Sequence, residues 1–94
     1  MKYIIVIEYT NESESVQDSM RSILEQIGNT LQISKHAFVL NARRTIDAVA
    51  IREAIKQSAY ETEQIFVSAM TIPAAWRNIM CDNSDLKDLL NEQD

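Results

Sequence analysis

The chain has 94 residues, 46% hydrophobic and 24% charged, which is the length of one domain and the composition of an ordinary globular protein rather than of a disordered chain. Its net charge of −5 argues against a general nucleic-acid binder, and no apolar run approaches the roughly 20 residues of a membrane span. The single cysteine, Cys81, excludes an internal disulfide, and with no signal-peptide pattern the expectation is a cytoplasmic protein without a membrane partner.

In chain order, the apolar run Tyr3–Ile7 predicts a central strand buried on both faces, Ile4 and Val6 on one and Tyr3, Ile5 and Ile7 on the other. Glu8 is carried to the rim of the sheet. Asn11 and Ser13 are cap candidates for a helix whose apolar stripe is Val16, Met20, Ile23, Leu24 and Ile27. Gly28 sits where a left-handed C-cap is wanted, with Asn29 in the loop beyond. Leu31–Ile33 and Ala37–Asn41 read as two antiparallel strands turned at Ser34, Lys35 and His36; one longer bulged strand is the alternative.

Thr45 is the expected N-cap of a second helix, with Asp47 in its first turn and Ile46, Ala50, Ile51, Ala54 and Ile55 along its apolar side. After a polar connection at 61–63, Gln64–Met70 predicts a strand with Ile65, Val67 and Ala69 on one face and Phe66, Ser68 and Met70 on the other. Pro73 suits the first turn of a short helix at 74–80 bearing Trp76. A second short helix follows, capped near Asn83 and Ser84, with Leu86, Leu89 and Leu90 at helical spacing. Segments this short must dock on their own sheet or on a second chain.

Strand, helix, strand, strand, helix, strand is the split βαβ plan, so the expected fold is α+β: one ferredoxin-like βαββαβ domain with a core at 1–70 and a helical tail at 71–94. Both long helices then share one sheet face. The other face needs the tail or a partner, and a homodimer is expected on that ground.

Met1-Lys-Tyr-Ile-Ile-Val-Ile-Glu8, Ala50-Ile-Arg-Glu-Ala-Ile55, the strand Gln64–Met70 and the tryptophan after it resemble the small SinR-like proteins, which stand with the small endonuclease-like subunit of CRISPR adaptation and the virulence-associated D toxins. That resemblance, over nearly the whole chain, implies a ferredoxin-like fold and homodimers. It also implies an acid at the end of the first strand, paired across the dimer, that holds Mg²⁺ or Mn²⁺ for phosphodiester cleavage. The matching position is Glu8, where the group has aspartate. The extra methylene displaces the carboxylate by more than a bond length, which counts against cleavage. The plain alternative for Glu8 is a solvated strand-end charge.

Charge is unevenly spread. Residues 82–94 hold Asp82, Asp85, Asp88, Glu92 and Asp94 against Lys87 alone, a net of −4; residues 43–56 hold Arg43, Arg44, Arg52 and Lys56 against Asp47 and Glu53, a net of +2. Arg43, Arg44 and Arg52 are the candidates for gripping phosphate, or simply balance an acidic protein. Trp76 and Tyr60 stack on bases or, in the plainer reading, Trp76 anchors its segment. His36 reads as an exposed turn residue and Cys81 as a small apolar one. The chain has no phosphate-cradling glycine loop, zinc spacing or nucleophile–histidine–acid set.

The leading expectation is a small acidic dimeric interaction module, non-catalytic and without cofactor, of the antitoxin or of the phage- and defence-inhibitor kind. Trp76, Asp82, Asp85 and Asp88 would bind a protein partner with a basic face. The alternative is a Mg²⁺- or Mn²⁺-dependent nuclease with Glu8 as metal ligand. Nucleic-acid binding without cleavage comes third.

Overall fold

Period-two alternation in the first strand sets the middle of a four-stranded antiparallel sheet. In the computed structural model, which describes residues 1–10, 13–43, 45–58 and 62–93 (the side chains of Ser58, Thr62 and Glu63 excepted), β1 spans Lys2–Tyr9. It pairs with β3 (Ala37–Ala42) on one side and β4 (Thr62–Ala69) on the other, and β2 (Gly28–Ser34) lies outside β3. The order β2-β3-β1-β4, with α1 (Glu14–Glu25) and α2 (Ala48–Ser58) as connections, makes an α+β architecture compatible with the ferredoxin-like plan. A third helix, α3 (Asn83–Asn91), follows. Among the described residues no helix is long and apolar enough to cross a membrane.

Tyr3, Ile5, Ile7 and Tyr9 of β1 and Phe38, Leu40 and Ala42 of β3 face Met20 and Leu24 of α1 and Ile51 and Ile55 of α2, forming the larger core. Both long helices therefore lie on one side. Ser13 caps α1, its hydroxyl accepting from the Val16 amide at 3.3 Å; Asn11 lies outside the described residues. α2 begins later than the sequence suggests: Asp47, not Thr45, is its cap, its carboxylate accepting from the Ala50 amide at 2.8 Å. A carboxylate at that position also complements the helix dipole. Gln32 of β2 is buried on the same side, where it accepts from Arg21 and donates to Gln17 of α1.

The opposite face carries a smaller core of Val39, Leu86, Leu89 and Leu90, with Leu31, Ile33, Met70, Trp76, Ile79 and Cys81 packed around it. The tail thus docks on its own sheet. Residues 70–82 cross from β4 to β2, where the Met80 amide donates to the Ile33 carbonyl at 3.1 Å, and α3 then lies over β2 and β3. No helix forms at 74–80: the segment is irregular, and Asn78 takes a left-handed φ of 57°.

Because the tail covers the β2–β3 half, the second face of β1 is not buried as expected: Ile4 is half-buried, Val6 is 36% exposed and Glu8 is exposed. The far end of the tail is tied down by polar groups. Both carboxylate oxygens of Glu92 accept, from Asn29 at 2.6 Å and from Asn41 at 2.9 Å, and Lys2 donates to the Glu92 carbonyl at 2.6 Å.

Gly28 is not a helix C-cap. The helix closes at Gln26 with a right-handed φ, and Gly28 and Asn29 open β2. A Cβ on Gly28 would stand 2.0 Å from the Asn41 carbonyl oxygen, so the residue is glycine because β3 passes directly over it. Two stability outcomes are expected in urea unfolding followed by circular dichroism. Gly28→Ala, forcing backbone from backbone, costs about 1–3 kcal/mol or more. Leu89→Ala, emptying the second core, costs about 2–5 kcal/mol.

Candidate functional site

Glu8 stands at the end of β1, opposite Gln64 of β4, with its side chain half exposed. The β2–β3 turn brings His36 against it. His36 Nδ1 lies 3.8 Å from a Glu8 carboxylate oxygen and 3.1 Å from the Ile7 carbonyl, while the ring tilts against Tyr9 at 5.8 Å. The imidazole is therefore half-buried and oriented rather than loose in the turn. A carbonyl oxygen only accepts, so Nδ1 is the protonated nitrogen and that atom is not available to ligate a cation. Among the described residues no three His, Cys, Asp or Glu side chains gather as a metal-holding group. Mg²⁺ and Mn²⁺ want several hard oxygens, which Glu8 by itself does not supply. Within one chain the described residues do not make up a metal centre; the one that the family resemblance implies draws its second acid from a partner copy.

Arg43 and Arg52 border separate depressions. Arg43, exposed just past β3, borders a depression of about 630 Å³ lined also by Met1, Tyr3, Ala42, Thr45 and Ile46, where the Tyr3 hydroxyl donates to the Ile46 carbonyl. Arg52 lies on α2 beside a separate groove of about 240 Å³, and its guanidinium contacts Glu53 at 2.9 Å. Arg44 and Tyr60 lie outside the described residues.

The acidic candidates do form a surface. Leu86, Leu89 and Leu90 point α3 into the sheet; Asp85 and Asp88 are exposed three residues apart on the helix, and Asp82 is exposed at its N-cap. Asp82 precedes the first turn but makes no side-chain cap bond, so its carboxylate is left to solvent. Lys87 is the one cation within α3. Trp76 is half-buried in the second core and its indole N–H donates to Asn83 at 3.0 Å, so it anchors the crossing segment. Glu92 belongs to the clamp on Asn29 and Asn41 and takes no part in this surface; Asp94 lies outside the described residues.

That clamp escaped the sequence reading, because nothing local in Asn29 or Asn41 points to a carboxylate 63 or 51 residues away. Cys81 sits where α3 begins. Burial pushes its thiol above its ordinary value of 9.0, a backbone hydrogen bond opposes this, and the charges of Asp85 and Asp82 push further upward. No family model, curated protein or solved structure matches the chain.

The direction of the Cys81 shift fixes its chemistry. A raised value leaves less than about 1% thiolate at neutral pH, so alkylation by iodoacetamide should be slower than for a free cysteine. The rate should still be rising with pH at pH 9, where an unshifted thiol is already levelling off. A rate that levels off below pH 8 would contradict this environment.

Proposed function

We propose that the chain is a small, non-catalytic acidic interaction module that binds a protein partner with a basic face through the outward side of α3. The observation that carries the reading is the exposed set Asp82, Asp85 and Asp88, at the start of and along a helix that three leucines lock to the sheet. A pre-ordered helix presents its charges without an ordering cost at binding, and a negative surface steers a basic partner while repelling phosphate backbones. An inhibitor or regulator that occupies a basic site on another protein, of the antitoxin or defence-inhibitor kind, has these properties. The strand order is compatible with a ferredoxin-like sandwich as the scaffold, while kinship to the SinR-like group rests on the sequence motifs alone. The nuclease activity implied by that kinship is not part of the proposal, because among the described residues of one chain no metal-holding group gathers at Glu8.

The test neutralises the surface and keeps the helix. Deleting residues 82–94 would also remove Leu86, Leu89 and Leu90 and open the second core, whereas Asp82→Asn, Asp85→Asn and Asp88→Asn together leave it closed. Three exposed pairs at about 0.5 kcal/mol each correspond to binding roughly tenfold weaker at low salt. In affinity capture followed by titration of the isolated partner, the triple variant should show that loss, and added salt should weaken the wild type toward it. Equal affinity of the two forms, with no salt dependence, would overturn the reading.

A further inference from the structure

The end of the sheet that holds Met1 and Ala42 is hollow on its helix side. The Ala42 amide donates to the Met1 carbonyl at 3.0 Å, so the two residues are neighbours across the ladder. Ala42 is too small to fill the space between the sheet and the approach to α2. What results is the depression of about 630 Å³, a volume within the range of small-molecule sites.

Its lining is of two kinds. Met1, Tyr3, Ala42 and Ile46 form an apolar part, while Arg43 and Asp47, both exposed, bring one charge of each sign to the rim. The frame is tied at three points. The Arg43 amide donates to the Ile27 carbonyl at 3.0 Å, the Tyr3 hydroxyl donates to the Ile46 carbonyl, and an Asp47 carboxylate oxygen accepts from the Ala50 amide at 2.8 Å. The depression is thus formed before any ligand arrives, which lowers the ordering cost of binding.

The two charges are not spent on each other. Among the described residues the Arg43 guanidinium has no hydrogen-bond or ion-pair partner, and Asp47 is engaged through one carboxylate oxygen, leaving the second.

We propose that this depression binds a free α-amino acid with a large apolar side chain. Arg43 takes the ligand carboxylate by paired hydrogen bonds, Asp47 takes the ammonium, and the side chain lies against Met1, Tyr3 and Ile46. The pairing of signs selects a zwitterion. A simple acid meets the like charge of Asp47, a simple amine meets that of Arg43, and a phosphate is disfavoured more strongly than either. None of these residues belongs to the tail, so this inference and the acidic-helix reading can fail separately.

Titration of the full-length chain with L-phenylalanine and with L-leucine, followed by amide chemical shifts, tests it. Saturable shifts at Ala42, Arg43, Thr45, Ile46 and Asp47 are expected at millimolar ligand. Phenylpropionate, which lacks the ammonium, and phenethylamine, which lacks the carboxylate, should each bind about tenfold more weakly than L-phenylalanine. That comparison is made on the wild type and needs no variant to fold.

Two substitutions then assign the charges. Arg43→Gln should weaken L-phenylalanine about tenfold without weakening phenethylamine. Asp47→Asn, which keeps an oxygen to cap α2, should weaken L-phenylalanine by a similar factor without weakening phenylpropionate. A mere change of shape would weaken the amino acid and its analogues alike. The inference is overturned if neither amino acid gives saturable shifts at these residues, if phenylpropionate binds as tightly as L-phenylalanine, or if either substitution weakens all three ligands equally.

Discussion

Three leucines on α3 decide what kind of molecule this is. Leu86, Leu89 and Leu90 close over Val39 and convert a two-layer plan into a sheet covered on both sides, at least over β2 and β3. A two-layer fold that left the apolar residues Leu31, Ile33 and Val39 on a bare sheet face would expose a patch of the kind that marks a binding site. Here that patch is covered within the chain, and the surface that remains is a narrower one with defined chemistry.

The position of β1 links the two cores. Its odd-numbered side chains from Tyr3 to Tyr9 supply the centre of the larger core, while on the other face Lys2 reaches the end of the tail and Ile4 is half-buried. The Glu92 clamp completes the closure: a carboxylate that would otherwise add to the acidic surface is spent on two asparagine amides of the sheet. Its neighbours on α3 keep their charge in solvent. The same tail therefore does two jobs, with the leucines and Glu92 holding the helix down and the aspartates facing out.

Much of this was legible in the order of residues, and the parts that were not share a cause. Period-two and period-3.6 patterns locate the four strands, both long helices and the leucine spacing of α3, because burial on one side imposes them. What failed were inferences that depend on where distant segments lie. Gly28 looked like a helix terminator because glycine often is one, yet its reason is the passage of β3 overhead.

Residues 74–80 looked helical after a proline, but their path is dictated by spanning the sheet from β4 to β2. Val6 and Ile4 looked doubly buried because an apolar run carries no information about which half of a face a tail will cover. Of the site residues, the acidic set on α3 was readable as a charge run. The dispersal of Arg43 and Arg52 to separate places, and the orientation of His36 toward the Ile7 carbonyl, were not.

The account stands on α3 being part of the fold. Methyl nuclear Overhauser contacts in the full-length chain test this most directly. Cross-peaks between the Leu86, Leu89 and Leu90 methyls and those of Val39 are the predicted result. Leucine methyls in this segment with random-coil shifts and no contact to β3 would contradict it.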